Sequence, residues 1–198
     1  MTLNVIYRTL ASFSLDLGHW GLRQSEGFFM QIKDVFLALY DRETAVSKRM
    51  LERVQMDKPH WKPHEKSMEF GYLAALVATI PAWFQSIIED AELDVAAKDG
   101  SKFTNVDFKT NAELMAGFEA CVKRGRDAFV KTTDDHILNT KWKMLAGGHE
   151  VANTPRHEVI ADTFAHWAHH RGQLSVYLRL NDVPLASIYG PTADSKGF

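Results

Sequence analysis

The stretch that decides both the fold and the candidate site is Phe164-Ala165-His166-Trp167-Ala168-His169-His170-Arg171-Gly172-Gln173-Leu174. Three of the nine histidines of the chain lie here within five residues. His166 and His170 are four residues apart, so on a helix they lie one turn apart on the same face. This spacing allows one helix to offer two imidazoles to a single metal ion. A metal site then depends on whether another part of the chain supplies a third ligand.

The two histidines share their face of the predicted helix with apolar side chains. On a helical wheel, Val159, Leu174 and Tyr177 lie within about 80° of His166, so we expect the pair to face the protein interior. A buried neutral imidazole needs partners for one donor and one acceptor. Two interpretations are open: a metal site between facing helices, or a buried pair whose partners are Gln173, Tyr177, the backbone or water.

Other polar side chains flank the pair on the wheel. His169 and Gln173 lie beside it, and we expect them to support the two candidate ligands by hydrogen bonding. Asp162 precedes His166 by four residues and forms a continuous stripe with it and His170. Asp162 is therefore a candidate third metal ligand, or alternatively a group that orients an imidazole. A single straight helix rarely wraps three ligands around one ion, which weighs against the first alternative.

Remaining candidates are weaker. His60 and His64 precede the second predicted helix, and His149 follows two glycines. We expect these three to be surface or packing residues, and His157 to point outward from the first turn of the last helix. Arg171 is expected to pair with a carboxylate of another helix or with Asp194, and the alternative is a substrate carboxylate. Cys121 is interpreted as a core residue, since no base or cation is evident beside it.

Hydrophobic periodicity predicts four long helices, at about residues 30–54, 67–90, 110–132 and 154–180. Ser67 is a candidate N-cap, Thr110 begins a capping box, and Thr154 with Pro155 is read as an N-cap followed by an N-terminal proline. Pro81 is expected to kink the second helix, because it removes a backbone donor.

The region between the third and fourth helices, residues 133–153, is predicted to be irregular, with a turn at Gly147-Gly148 and room for short strands. Four amphipathic helices without a strand-rich half favour an all-α fold, a four-helix bundle with long inter-helix connections. Residues 30–198 are expected to form this bundle. Residues 1–29 are interpreted as an N-terminal extension of uncertain status, either an appendage or an over-extended gene start.

Composition narrows the classes of function. The 198 residues are 45% hydrophobic and 24% charged, with a net charge of −2 and no basic stripe, which argues against nucleic-acid binding. The lone Cys121 excludes an intramolecular disulfide and fits a reducing, cytoplasmic compartment. The most apolar stretch, residues 73–83, is too short for a membrane span and contains Pro81.

The C-terminal block, His-Trp-Ala-His-His-Arg-Gly-Gln-Leu-Ser-Val-Tyr-Leu-Arg at residues 166–179, resembles the signature of the DinB/YfiT-like family. Residues 183–184 and 189–194 extend the resemblance, and residues 61–67 and 73–83 are similar to the second-helix region of that family. The resemblance covers residues 30–195. It implies a four-helix bundle, often dimeric, with a three-histidine site for a divalent metal such as zinc or nickel.

Some relatives in that family are thiol-dependent S-transferases or isomerases, and others are damage-inducible proteins of unknown activity. The resemblance therefore implies a low-molecular-weight thiol or another small molecule as substrate, and a role in a stress response. The two ligands of the fourth helix carry over to His166 and His170. The third ligand, a histidine of the second helix, falls at Leu76, which offers no lone pair.

Two functions compete at this point. The first is a metal-dependent transferase or hydrolase with an incomplete or atypical site, in which His166 and His170 hold the ion. The second is a non-catalytic homologue that acts as a small-molecule binder or a dimeric interaction module. Leu76 favours the second function, and the retained histidines favour the first.

Overall fold

A computed structural model describes residues 30–97 and 106–196, so the prediction for residues 1–29 lies outside the described part of the chain. The protein is mostly helical. The helices are α1 Ile32–Leu51, α2 Phe70–Thr79, α3 Trp83–Glu89, α4 Asn111–Lys131, α5 Asp134–Asn139 and α6 Arg156–Leu180. The four predicted helices correspond to α1, to α2 with α3, to α4 and to α6.

A three-stranded sheet accompanies these helices, so the all-α prediction is wrong in this part. Strands β1 Glu92–Asp94 and β2 Lys141–Ala146 pair in parallel, and β2 pairs antiparallel with β3 His149–Pro155. Strands β2 and β3 lie where the sequence left room for short strands, but β1 was not foreseen, because its three residues are too few to show an alternation of apolar and polar side chains.

The turn between β2 and β3 is at the predicted glycines. Gly147 and Gly148 have φ angles of 61° and 83°. A two-residue hairpin turn of type I′ requires this left-handed conformation at both positions. The carboxylate of Asp94 on β1 accepts hydrogen bonds from both glycine amides, at 2.9 and 2.7 Å. Asp94 therefore joins the end of β1 to the hairpin turn.

Local chemistry explains where the helices begin. Thr110 caps α4 as predicted, and its hydroxyl accepts a hydrogen bond of 3.1 Å from the amide of Glu113. The predicted cap at Ser67 is wrong, since α2 begins at Phe70 and Glu69 occupies the N-cap position without a side-chain bond. The predicted cap at Thr154 is also wrong, because β3 continues to Pro155, which is itself the N-cap residue of α6.

Pro81 interrupts the second long helical segment, as predicted. A single turn of 3-10 helix, Ile80–Ala82, separates α2 from α3, because proline cannot donate the hydrogen bond that would continue the helix. Together with the 3-10 turn, α2 and α3 span the 20 residues Phe70–Glu89, whose most apolar window has a mean hydropathy of 1.5. By length and composition this helical segment could cross a membrane, whereas residues 73–83 alone were judged too short for a span. However, 61% of that window is buried within the protein.

The core lies where α1, α2, α3, α4 and α6 contact one another. Aromatic rings form its centre, with Tyr40 edge-to-face on Phe84 at 5.3 Å between ring centroids, and Phe84 against Phe164 at 4.5 Å. The indole nitrogen of Trp167 donates a 2.9 Å hydrogen bond to the carbonyl of Val77. This contact fixes α6 against α2 and so positions the histidine-bearing face.

Candidate functional site

A cleft of about 1020 Å³ lies between one face of α2 and α3 and one face of α6. The α2–α3 face consists of residues spaced by three or four positions, as on one side of a helix: Tyr72, Leu76, Thr79, Trp83 and Ser86. The α6 face follows the same spacing: Val159, Asp162, Thr163, His166 and His170. Side chains of the sheet line one end of the cleft.

The two predicted metal ligands converge in this cleft. The Nε2 atoms of His166 and His170 are 3.1 Å apart. Tetrahedral zinc, with Zn–N distances of 2.0–2.1 Å, requires about 3.3 Å between two ligand nitrogens. The pair therefore needs only a small opening to accept an ion. His170 is buried, but His166 is exposed to the cleft, so the prediction that both face the interior holds for His170 alone.

Gln173 hydrogen-bonds to His170, as expected, and so determines which ring nitrogen of His170 carries the proton. Its side-chain oxygen lies 2.7 Å from Nδ1 of His170, and a carbonyl oxygen can only accept. His170 therefore carries its proton on Nδ1 and has a lone pair on Nε2, directed at His166. His169 packs beside His170 at 5.1 Å between ring centroids. The ring of Trp83 covers His166 at 5.3 Å.

Loss of hydration in the cleft favours the neutral form of both imidazoles. Loss of hydration lowers the pKa of His166 below its ordinary value, and the neighbouring His170 and His169 lower it further. Burial also lowers the pKa of His170, with a partial offset from the hydrogen bond to Gln173. Both shifts favour the neutral imidazole, which keeps one unprotonated ring nitrogen and is the form that binds metal ions.

The three-histidine centre implied by the resemblance does not fit the described residues. Leu76 lines the cleft opposite the histidines and offers only methyl groups. Its side chain is half-buried, because the face through Leu76, Thr79 and Trp83 is the one turned to the cleft. Asp162 lines the cleft too, but the described residues contain no group of three His, Cys, Asp or Glu side chains arranged to hold a metal ion.

The four weaker histidine candidates lie outside the cleft. His60 contacts Glu69 at 2.8 Å, and Nδ1 of His64 accepts from the amide of Lys66. His149 is exposed at the start of β3. His157 is half-buried rather than outward-pointing, and none of these four lines the cleft.

Arg171 belongs to a buried hydrogen-bond network, and its partner is a carboxylate of another helix, as predicted. Its guanidinium contacts Glu43 of α1 at 2.5 Å and donates to the Ser47 hydroxyl at 2.9 Å. The phenol of Tyr189 donates to the same Glu43 carboxylate at 2.5 Å. The alternative partner, Asp194, pairs instead with Arg179. This network joins α1, α6 and the C-terminal segment beside His170.

The carboxylate of Glu43 remains ionised within this network. Burial by itself would raise the pKa of Glu43, but the hydrogen bonds from Tyr189 and Arg171 outweigh burial and hold the pKa below its ordinary value. Glu43 could not be singled out by sequence reasoning, because a lone glutamate in an amphipathic helix usually faces solvent.

Cys121 is buried, as predicted, but the expectation that no cation lies beside it is wrong. Its sulfur accepts a 3.3 Å hydrogen bond from the guanidinium of Arg124, so a cation does lie beside the thiol. Both residues line the cleft, although Cys121 is buried. Their separation of three residues on a helix is the signal that could have revealed the contact.

Comparison with known proteins identifies solved structures of similar fold. No protein-family model matches the chain, and no curated protein matches it. Among solved structures, a DinB-like protein from Bacillus cereus is 17% identical with a TM-score of 0.59, over 79% of this chain and 97% of that one. A DinB-like protein from Bacillus subtilis is 17% identical with a TM-score of 0.58, over 82% of this chain and 99% of that one.

Fold and site together define a mostly helical protein with a small sheet and a histidine-lined cleft. The particular fold is that of the DinB-like proteins, in agreement with the resemblance of the C-terminal block. At 17% identity this likeness concerns the fold alone and leaves the chemistry of the cleft to the residues of this chain.

Proposed function

We propose that the cleft is a small-molecule site in which His166 and His170 hold a divalent metal ion, zinc or nickel, as an incomplete two-histidine centre. The observation that carries this proposal is the approach of the two Nε2 atoms to 3.1 Å. The proton position that Gln173 imposes on His170 leaves its Nε2 unprotonated, so this nitrogen can coordinate an ion in place of its hydrogen bond to His166. Affinity should be low, because catalytic zinc sites usually have three protein ligands.

A metal ion held this way would lower the pKa of a bound thiol or water and thereby support thiol S-transfer or hydrolysis. The contribution of the chain itself is to bind and orient. The ring of Trp83 packs against His166, Gln173 holds the ring of His170, and Leu76 presents an apolar surface to the cleft. Asp162 remains a proposed additional ligand, and His169 a proposed supporting group.

The same proposal includes several features implied by the family resemblance. The helical part, residues 30–198, is interpreted as a four-helix bundle domain of the DinB/YfiT-like type, forming a homodimer in the cytoplasm. The substrate would be a low-molecular-weight thiol or another small molecule, in a stress response, without nucleic-acid or membrane partners.

A second candidate function is non-catalytic binding of a small molecule. It is favoured by the absence of any three-residue metal-ligating group among residues 30–97 and 106–196. In that function, the His166–His170 hydrogen bond and the bond to Gln173 serve packing, and the cleft binds ligands without a metal ion.

Calorimetric titration with zinc separates these functions. Tag-free protein is compared with the His166→Ala/His170→Ala double variant and with a matched control, His60→Ala/His64→Ala, whose histidines are away from the cleft. The metal proposal expects one weak site that only the cleft variant loses. Equal titrations for all three proteins would leave the non-catalytic function. Thiol-transfer and ester-hydrolysis assays with and without zinc then test activity.

A further inference from the structure

Two solvent-exposed side chains of opposite charge line the cleft without an oppositely charged partner. They are Arg124 of α4 and Asp162 of α6. Among residues 30–97 and 106–196, no carboxylate lies within salt-bridge distance of Arg124, and no cation lies within that distance of Asp162. By contrast, Arg126 of α4, which does not line the cleft, pairs with Asp41.

The guanidinium of Arg124 is directed at the cleft. Its Nη2 donates a 3.3 Å hydrogen bond to Sγ of Cys121, which lines the cleft as well. A thiol is a weak acceptor, and a guanidinium has five N–H donors, so this contact leaves most of the donors of Arg124 without a partner in the described part of the protein. A ligand carboxylate could engage two of them at once.

Asp162 differs from the other carboxylates of the cleft. Glu89 and Asp90 each accept a hydrogen bond from a side chain of α3, at 2.8 and 2.6 Å. Asp162 accepts none from the described residues. Because the described lining residues include three carboxylates and a single guanidinium, a ligand cation is favoured in the cleft, and a ligand carboxylate is favoured only at Arg124.

Both charged residues are close to the 3-10 turn between α2 and α3. On the α4 side, Gly125, which follows Arg124, packs against the carbonyl of Pro81 so closely that no Cβ would fit. On the α6 side, the ring of His166 packs against Trp83 at 5.3 Å between ring centroids. The cleft therefore has a cation on one side of this turn and the histidine pair on the other.

The distance between the two charges sets the length of a ligand that could join them. Asp162 precedes His166 by four residues, which is about 6 Å along α6. Helices α4 and α6 both pack on α2 and α3, and the axes of packed helices are about 8–10 Å apart. A ligand that reaches both charges must therefore extend across one helix, and a single α-amino acid is too short.

We propose that the cleft binds an extended zwitterion, a molecule with a carboxylate at one end, an ammonium group at the other and an apolar spacer. Arg124 binds the carboxylate and Asp162 binds the ammonium group, while the spacer packs on the apolar lining residues Leu76 and Ala82. The inference rests on the proposed function only in that both use the same cleft. It concerns the metal-free protein, in which Asp162 is not a metal ligand.

The test compares three probes with the same eight-carbon chain, measured by NMR chemical-shift titration at low ionic strength with EDTA present. The first, 8-aminooctanoate, carries both charges. In 8-aminooctanamide the carboxylate is replaced by a neutral amide, and in 8-hydroxyoctanoate the ammonium group is replaced by a hydroxyl. The wild type is expected to bind 8-aminooctanoate about twofold to fivefold more tightly than either analogue, the effect of one exposed charge pair.

Variants assign each preference to one residue. Arg124→Gln should abolish the preference over the amide and keep the preference over the hydroxyl analogue, and Asp162→Asn should do the reverse. The matched controls Arg126→Gln on α4 and Glu158→Gln on α6 change residues that do not line the cleft, and both should keep the two preferences. The His166→Ala/His170→Ala variant should keep them as well, which separates this inference from the metal proposal.

Three results would overturn the inference. The first is a wild type that prefers 8-aminooctanoate over only one analogue or over neither. The second is a carboxylate preference that survives Arg124→Gln, and the third is an ammonium preference that survives Asp162→Asn.

Discussion

Replacement of Arg171 by methionine should destabilise the protein severely. The Glu43 and Arg171 side chains are 5% and 1% exposed, so their ion pair is almost fully removed from water. Methionine would leave the Glu43 carboxylate buried without its guanidinium, a change that costs about 3–5 kcal/mol. For a protein of this size each kcal/mol lowers Tm by about 2–4 °C, so we expect Tm to fall by about 6–20 °C. Thermal and urea unfolding followed by circular dichroism measure this loss.

A matched control and a double variant make this prediction specific. Arg179→Met removes a pair with Asp194 in which the arginine side chain is 46% exposed, and we expect it to cost less than about 1 kcal/mol. Glu43→Leu combined with Arg171→Met should recover much of the stability, because no buried charge is left unpaired. The reasoning is refuted if Arg171→Met costs no more than Arg179→Met, since Arg171 would then contribute only as a surface cation.

Three further predictions concern metal affinity, pH and helix capping. Leu76→His should raise zinc affinity at least about tenfold by adding a third ligand, and unchanged calorimetry would show that position 76 cannot reach the ion. Because the pKa of Glu43 is lowered in the folded protein, its contribution to stability is complete above the ordinary value of 4.5 and is lost as the pH falls through the lowered value. In Glu43→Gln, the free energy of urea unfolding should therefore depend less on pH in that range. Thr110→Ala should cost about 1 kcal/mol by removal of the α4 cap, whereas Ser67→Ala, at a site that caps no helix, should cost almost nothing in the same unfolding assay.

The long helices were predictable because their signals are local. Apolar residues recur with the helical period in each long segment, and Thr110 with Glu113 marks the start of α4. The effect of Pro81 follows from the backbone donor that proline lacks. The spacing of His166 and His170 likewise determined that they would meet, once α6 was recognised as a helix.

Features that depend on distant contacts were not predictable. The partner of Arg171 is 128 positions away along the chain, at Glu43. The pairing of β1 with β2 joins residues that are 51 positions apart, and the strands themselves are short. Whether position 76 faced the core or the cleft depended on how α2 packs between α4 and α6, which periodicity does not specify.

A direct test of the central claim, that the His166–His170 pair is the metal site of the cleft, is a proton–nitrogen correlation spectrum of the histidine side chains during zinc titration. In metal-free protein at neutral pH, we predict that His170 is neutral with its proton on Nδ1. On addition of zinc, the Nε2 resonances of His166 and His170 should shift together to values typical of coordination, and those of His60 and His64 should not. Zinc-induced shifts at other histidines, with both Nε2 resonances of the pair unchanged, would contradict the account.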